Sequence, residues 1–267
     1  MVSAAVLVPA ALISVWFGEV FFLIFVLLGG AVVADEWLRM IGAGNLMILR
    51  VAALISVGLV GVAAHMLPLQ SAWIAIVVAG AAMGAVLWRR GFDVSTRWVV
   101  AGTIYVGLAI LALVALRKGA DGLGVVVFVF LVAWASDTAA FFAGRAIGGP
   151  KLWPRLSPNK TWAGAVAGLL AGVVFGALVA AALAVPLAAT VIALAAAVSV
   201  AAQAGDLLES AAKRHFMVKD TSALIPGHGG MMDRVDGLIA ATVLTTLLGA
   251  VIAAEAPAEG FLTIMGR

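Results

Sequence analysis

The stretch VVVFVFLVAWAS, residues 125–136, decides the fold class of this chain. It is apolar throughout and lacks the polar alternation of a half-exposed strand, so it is typical of a helix surrounded by lipid or protein. The chain as a whole is 65% hydrophobic, 11% charged and has a mean hydropathy of +1.20. Soluble domains are only about 45–50% apolar. We therefore expect lipid to be the solvent for most of the chain.

Similar apolar runs recur along the whole sequence. A helix needs about 20 apolar residues to cross roughly 30 Å of hydrocarbon, and lipid admits only helices or closed barrels. Because the runs are long and unalternating, the sequence predicts an all-α, polytopic helical bundle with about nine spans. The predicted spans are 4–17, 20–34, 48–64, 70–88, 98–116, 122–142, 162–183, 186–205 and 237–254. The first two are short, so they could instead form one broken span.

Basic residues are concentrated in loops that would share one face of the membrane. Of the 16 lysines and arginines, 13 fall in four such loops, near 35–50, 89–97, 143–161 and 206–236. The opposite face keeps Arg117, Lys118 and Arg267. Because cytoplasmic loops are enriched in basic residues, we expect the 13 in the cytoplasm and the C-terminus outside. We expect an integral protein of a bacterial-type inner membrane with its active site facing the cytoplasm. A signal peptide would begin with basic residues, and none precedes Arg39.

The polar residues suggest two parts. Residues 1–120 are predicted to form N-terminal transmembrane helices. Residues 121–267 are predicted to form a C-terminal catalytic region, which carries the cytoplasmic loops 143–161 and 206–236. The chain has no cysteine, which excludes disulfides, a thiolate nucleophile and a cysteine-based metal site.

The first of these loops follows an acidic residue inside an apolar run. Asp137 comes directly after the opening stretch, and an ionisable residue at that depth normally faces a bundle interior or a wet cavity. An ion pair with Arg145, two helical turns further on, is the structural alternative. Both residues are therefore candidates for a site, with this pairing left open.

The same loop ends in SPNKT, residues 157–161. Ser157 or Asn159 is predicted to cap the helix that starts near Thr161. The run NKT is similar to the end of a phosphate-binding P-loop, but Asn159 replaces the required glycine and no strand is expected before it. A P-loop is therefore rejected. Lys160 could simply extend to the membrane interface, yet the loop also offers cations to phosphate oxygens: Arg145, Lys151, Arg155 and Lys160.

The second loop begins on a helix that leaves the membrane. Its polar residues recur at helical spacing and therefore share one face: Asp206, Glu209, Ser210 and Lys213. Such a stripe can be merely solvated. However, Asp206 still adjoins an apolar run, which favours a functional interpretation.

The stretch KDTSALIPGHGGMMDRVDG, residues 219–237, is the most polar part of the chain. Its proline and glycines prevent a regular helix, and their backbone N–H groups can form an anion nest, although a simple tight turn is the alternative. Asp233 and Asp236 follow three residues apart. They could ligate a metal, or serve as an N-cap and a first-turn charge of the last span.

Together these residues favour phosphoryl or nucleotidyl transfer at a membrane surface. Mg²⁺ binds through one or two carboxylates plus substrate phosphates. The chain offers hard oxygen ligands in Asp206, Asp220, Asp233 and Asp236, phosphate-binding cations in Lys213, Arg214 and Lys219, and backbone donors in Gly227–Gly230.

These motifs resemble those of a known family. The run from Ser210 to Asp236 is similar to the signature of phosphatidate cytidylyltransferases: Ser, Lys-Arg, Lys-Asp, Pro, His-Gly-Gly and Asp-Arg-x-Asp at these spacings. SDTAAFFAGRAIGG, LSPNKTWAG and GDLLES upstream also resemble the family, so the likeness covers roughly residues 130–240. Two positions depart from it: Ala212 replaces a larger apolar residue, and Ala163 stands where many members carry Glu.

The resemblance implies that phosphatidate attacks the α-phosphorus of CTP, giving CDP-diacylglycerol and pyrophosphate. It also implies Mg²⁺, sometimes with a monovalent cation such as K⁺, a lipid bilayer environment, a homodimer and no nucleic acid partner. On this basis the predicted metal ligands are Asp206, Asp233, Asp236 and Asp137. The predicted catalytic residues are Lys213, Arg214, Lys219, Asp220, His228 and Arg234. The predicted substrate-binding residues are Arg145, Ser157, Lys160, Thr161, Ser210, Gly227, Gly229 and Gly230, with Arg145 and Lys160 on the phosphatidate head group.

Two other functions remain open from the sequence. A CTP-dependent polyprenol or lipid kinase would need the same membrane body and cations, but it would transfer the γ-phosphoryl group. An anion transporter would explain intramembrane charges and broken helices. A transporter would favour broken spans in matching halves, whereas here the charge is concentrated in two late loops.

Overall fold

A computed structural model describes residues 2–90, 95–222 and 229–267. The described residues form ten helices and two short strands: α1 (Val2–Trp16), α2 (Glu19–Met40), α3 (Met47–Met66), α4 (Leu69–Arg90), α5 (Thr96–Arg117), α6 (Gly122–Ala146), β1 (Lys151–Trp153), β2 (Ser157–Thr161), α7 (Trp162–Ala182), α8 (Ala189–His215), α9 (Met232–Ile252) and α10 (Pro257–Met265). The predicted all-α, polytopic membrane fold is confirmed.

Eight of the described helices, α2 to α9, are long and apolar enough to cross a membrane. The chain is therefore an integral membrane protein. The first predicted span corresponds to α1, which has 15 residues and reaches only about 22 Å, so its crossing of the membrane stays a prediction. The predicted span 20–34 is too short, because α2 continues to Met40. The continuation of α8 to His215 agrees with the predicted helix that leaves the membrane.

The predicted loop 143–161 contains a β-hairpin instead of irregular chain. Lys151 pairs with Thr161 and Trp153 with Ser157, in antiparallel register. The predicted cap of the next helix is also wrong. Thr161 itself caps α7, because its extended backbone lets its Oγ1 accept a hydrogen bond from the Gly164 N–H at 3.1 Å.

Contacts divide the chain into two compact units. The first unit consists of Met1–Lys118 and Phe216–Arg234, and the second of Gly119–His215 and Val235–Arg267. The most polar stretch of the sequence thus folds largely with the N-terminal helices. The predicted division into N-terminal transmembrane helices, residues 1–120, and a C-terminal catalytic region, residues 121–267, concerns function and stays a prediction.

In the first unit, hydrogen bonds join the loop ends on one side. Lys118 Nζ donates to the Leu67 carbonyl at 3.0 Å, and Arg117 Nε donates to the Val15 carbonyl at 2.9 Å. The connections that follow α1, α3 and α5 therefore lie on one side, as expected of helices that alternate in direction. Trp37 Nε1 donates to the Trp98 carbonyl at 2.9 Å and ties α2 to α5.

In the second unit, a row of glycines lets α7 lie close to its neighbours. Gly164, Gly168, Gly172 and Gly176 are all buried at intervals of four residues. A Cβ at Gly168 would lie 2.8 Å from the Ser136 carbonyl oxygen of α6, and one at Gly172 would lie 2.7 Å from Ser199 Cβ of α8. Small residues at these positions therefore allow the close helix packing that is typical of membrane bundles.

Candidate active site

Two glycines allow α8 and α9 to approach each other in the second unit. A Cβ at Gly205 would lie 2.6 Å from the carbonyl oxygen of Asp236, and one at Gly237 would lie 2.9 Å from the carbonyl oxygen of Ala202. Real Cβ atoms essentially never come within 3.0 Å of such atoms. The two backbones therefore pack at a distance that only glycine permits, and Asp206 and Asp236 are held at this contact.

Three carboxylates converge here: Asp206, Glu209 and Asp236, which we call the carboxylate cluster. One oxygen from each lies within 4.8 Å of the others. Glu209 is 4% exposed and Asp236 is 8% exposed. Buried carboxylates this close repel one another unless cations compensate their charge.

Two lysines provide part of that compensation. Lys160 Nζ lies 2.5 Å from Asp206 Oδ2, and Lys213 Nζ lies 2.6 Å from Glu209 Oε2. Asp137 adds a further negative charge, which interacts with those of Asp206 and Asp236. When all are ionised, four carboxylates and two lysines leave a formal net charge of −2. This group can accept one divalent cation without gaining a net charge.

The donor set fits Mg²⁺, because carboxylate oxygens are the hard ligands that this ion prefers. Of the predicted metal ligands, the structure brings Asp206 and Asp236 together, with Asp137 in electrostatic range. The third member, Glu209, was seen in the polar stripe but was not assigned as a ligand. Its position three residues after Asp206, on the same helix face, was the available signal.

Asp233, the remaining predicted metal ligand, belongs to the first unit and has partners of its own. Its Oδ2 accepts hydrogen bonds from the Thr221 N–H at 3.1 Å, the Thr221 Oγ1 at 2.9 Å and the Gly230 N–H at 2.7 Å. Because α9 begins at Met232, Asp233 lies in the first turn and is not the N-cap. Its carboxylate ties together both ends of the loop that precedes α9. Metal binding by Asp233 stays a prediction.

Glu36 of α2 holds the same loop and was missed by sequence reasoning. It is 2% exposed. Its Oε1 accepts hydrogen bonds from Ser222 Oγ at 2.6 Å and from the Met231 N–H at 2.9 Å, and its Oε2 accepts from the Met232 N–H at 2.7 Å. We call residues 219–222 and 229–232 the signature segment, and Glu36 and Asp233 are its two carboxylate anchors. A signal existed, since Glu36 is an acidic residue within an apolar helix, as Asp137 is.

The glycines of the predicted anion nest are only partly described. Gly229 has φ +81°, which favours glycine. Gly230 was predicted to offer its amide to phosphate, but in this structure that N–H donates to Asp233. A Cβ at Gly230 would collide with Thr221 Oγ1, so the residue is required for packing as well. Gly227 and His228 lie outside the described residues.

The structure also shows the contacts or exposure of the remaining predicted site residues. Ser210 Oγ lies 3.5 Å from Asp206 Oδ1, and Arg214 Nε donates to the Leu156 carbonyl at 3.4 Å. Arg145 lies over the Phe141 ring, and no ion pair joins it to Asp137 among the described residues. Ser157 and Thr161 belong to the hairpin. Lys219, Asp220 and Arg234 are exposed.

Comparison with known proteins accounts for this combination of features. The family model described as the cytidylyltransferase family matches residues 1–252. The chain belongs to the cytidylyltransferase family. As a member of the family it is a nucleotidyltransferase, and the family resemblance predicted from the signature is confirmed.

Some relatives of this cytidylyltransferase match nearly its whole length, and others match about half of it. It is 41% identical over 272 residues to proteins named phosphatidate cytidylyltransferase from Brucella suis and Brucella melitensis, covering 95% of this chain and 93% of each relative. It is also 36% identical over 145 residues to a protein of the same name from Staphylococcus haemolyticus, covering 54% of this chain and 55% of that relative.

Proposed function

We propose that this cytidylyltransferase is a phosphatidate cytidylyltransferase of phospholipid biosynthesis. A phosphate oxygen of phosphatidate attacks the α-phosphorus of CTP, the bond to the β-phosphate bridging oxygen breaks, and pyrophosphate leaves. The attacking oxygen is already ionised at neutral pH, because the second pKa of a phosphate monoester is about 6. No protein nucleophile is needed, which suits a chain without cysteine.

The observation that carries the proposal is the carboxylate cluster with its two lysines, in a chain similar over its length to enzymes of that name. Asp206, Glu209 and Asp236 would hold Mg²⁺. When bound, the metal would supply positive charge to the phosphate oxygens of CTP and of the leaving pyrophosphate. A monovalent cation such as K⁺ would be a further partner of this acidic group.

The protein's own cations have separable tasks in this proposal. Lys160 and Lys213 hold Asp206 and Glu209 in place and limit the repulsion among the carboxylates. Arg214, Lys219 and Arg234 are exposed and would bind CTP phosphates, where each charge-assisted hydrogen bond contributes roughly 1.5–3 kcal/mol. Glu36 and Asp233 would keep the signature segment ordered for this purpose.

The proposed setting is a bacterial-type inner membrane with the active site facing the cytoplasm. The distribution of 13 of 16 basic residues supports this orientation. Within the first unit, Lys118 and Leu67 meet on one side, which is where the sequence places the outer loops. Cytosolic CTP would then reach the site directly. A homodimer, implied by the resemblance, is testable by sedimentation of the protein in detergent.

The position of a radioactive label tests the reaction. Purified protein in phosphatidate-containing nanodiscs is incubated with Mg²⁺ and CTP labelled at either the α- or the γ-phosphorus. We expect α-label in the lipid fraction and γ-label in pyrophosphate, with both depending on phosphatidate. Transfer of the γ-label to lipid would show a kinase instead. Omission of phosphatidate and addition of EDTA are the matched controls.

A further inference from the structure

A groove of about 590 Å³ lies between α2 and α3 in the first unit. Its walls combine four charged residues of the helix ends, two acidic and two basic, with apolar residues of the helix bodies. The lining residues include Asp35, Arg39 and Arg50 at the charged end and Val32 and Leu54 at the apolar end. The family resemblance had pointed to other residues for lipid binding, so the groove is a separate finding.

The groove changes from charged to apolar along its length. Asp35 and Arg39 lie in the last turns of α2, and Arg50 lies in the first turn of α3, so the charges stand where two apolar spans end. Val32 precedes Asp35 by about one turn, and Leu54 follows Arg50 by one turn, so the apolar wall lies about 5 Å deeper in the span. Ends of membrane helices lie at the level of lipid phosphates. This gradient matches that of a phospholipid.

The two arginines are arranged to bind a phosphate. Asp35 accepts the Nε–H of Arg39 at 2.7 Å and that of Arg50 at 2.5 Å, which holds the two guanidinium groups side by side. Among the described residues, neither makes another hydrogen bond or ion pair. They are 55% and 38% exposed. Their Nη groups therefore offer several donors in the planar arrangement that suits phosphate oxygens.

The groove also adjoins the signature segment. Glu36 and Ser222 both line it, and Ser222 Oγ donates to Glu36 Oε1 at 2.6 Å. A phosphate bound by Arg39 and Arg50 would lie beside the residues that anchor this segment. A regulatory anion site would not need that proximity, whereas a substrate site would.

We propose that this groove is the phosphatidate subsite, with the phosphate on Arg39 and Arg50 and an acyl chain along Val32 and Leu54. The proposal rests on the proposed function for the identity of the lipid. It assigns the head group to these two arginines in place of Lys160, whose Nζ is paired with Asp206, and of Arg145, which lies over Phe141. The apolar wall selects a lipid over a soluble phosphate.

Kinetics with the double variant Arg39→Ala/Arg50→Ala test the charged end. Phosphatidate is varied as a surface fraction in nanodiscs with CTP in excess, and CTP is then varied with phosphatidate in excess. Loss of charge-assisted hydrogen bonds should raise the KM for phosphatidate on the order of tenfold to a hundredfold, with the KM for CTP unchanged. Arg89→Ala, at the end of α4 and outside the groove, is the matched control and should behave as wild type. An unchanged phosphatidate KM in the double variant would overturn the proposal.

A second variant and a binding measurement keep the test independent of turnover. Leu54→Trp fills the apolar end of the groove without changing any charge, and it should also weaken the binding of phosphatidate. Native mass spectrometry should show wild-type protein retaining phosphatidate over phosphatidylcholine, and both variants losing that preference. Glycerol 3-phosphate, a phosphate monoester without acyl chains, should not displace the lipid. Displacement by glycerol 3-phosphate, or equal retention of both lipids by wild type, would contradict a lipid subsite.

The same data separate this proposal from the proposed function. If wild-type protein transfers no label from CTP to lipid, the proposed function fails, while lipid retention that depends on Arg39 and Arg50 would still support an anionic lipid site. If wild type is active and all groove variants match it, the groove is not the subsite and the function stands.

Discussion

Lys160 Nζ lies 2.5 Å from Asp206 Oδ2, so the cation from the hairpin before α7 is an ion-pair partner of a carboxylate on α8. The family resemblance had assigned these two residues to different ligands, one to the lipid head group and one to the metal. Their contact places both in one electrostatic group with Glu209 and Asp236. The consequences are measurable, because a lysine that neutralises a carboxylate competes with a metal for it.

Replacement of Lys160 by alanine should change the metal dependence of the enzyme. Without this cation the carboxylate cluster is more negative, so half-maximal activation should need several-fold less Mg²⁺, while the maximal rate falls because Asp206 loses its partner. Titration of activity with Mg²⁺ measures both effects. If Lys160→Ala instead changes only the phosphatidate dependence, the lysine acts on the head group, as the resemblance implied.

Removal of charge from the carboxylate cluster should nearly abolish turnover. Asp236→Asn and Glu209→Gln keep the shape of each side chain and remove one metal-binding charge, so we expect losses on the order of 10²–10³-fold in kcat. EDTA should have the same effect on wild type. Glu259→Gln, an exposed acidic residue of α10, is the control and should retain activity. Full activity in Asp236→Asn would remove that residue from the mechanism.

Replacement of Glu36, which anchors the signature segment, should raise the KM for CTP more than the KM for phosphatidate. Both oxygens of Glu36 accept hydrogen bonds, and Gln keeps only one acceptor oxygen, so Glu36→Gln should loosen residues 219–222 and 229–232. We expect about a tenfold rise in the KM for CTP and faster amide hydrogen exchange in this segment. Glu19→Gln, at the other end of α2, is the control. Unchanged exchange in the segment would refute the anchoring role.

The glycine contact between α8 and α9 should tolerate no side chain. Gly205→Ala would place a Cβ 2.6 Å from the Asp236 carbonyl oxygen, so the helices must separate and displace the carboxylate cluster. We expect lower thermal stability in detergent and weaker activation by Mg²⁺. Gly58→Ala is the matched control, because a Cβ there meets nothing within 4 Å and alanine favours the helix. Equal behaviour of the two variants would contradict this packing.

Thiol labelling should establish the orientation, because the chain has no cysteine of its own. Cysteine introduced at Leu152 or Met217 should react with an impermeant reagent only from the cytoplasmic side. Cysteine at Leu187, in the connection between α7 and α8, should react only from outside. Labelling of Leu152→Cys from outside would overturn the orientation and separate the loops from cytosolic CTP.

The sequence by itself determined the solvent, the helices and the chemistry of this protein. Long apolar runs require helices because lipid cannot satisfy a backbone N–H or C=O, and this argument needs no knowledge of neighbours. The sequence predicted a loop where the structure has a β-hairpin, because local strand pairing is only weakly encoded. It also placed the cap of α7 at Ser157 or Asn159, which lie four and two residues before the observed cap, Thr161. The signature identified the family since its residues are adjacent in sequence.

Only the tertiary structure decided which of the acidic residues act together. Glu209 joins Asp206 and Asp236 because Gly205 and Gly237 let two helices approach, and Asp233 instead binds Thr221 and Gly230. Glu36 lies 186 residues from Ser222 in the chain, yet its Oε1 accepts a hydrogen bond from the Ser222 hydroxyl at 2.6 Å. Spacing along a helix predicts which side chains share a face, but the element that packs against that face is chosen by the fit of whole helices.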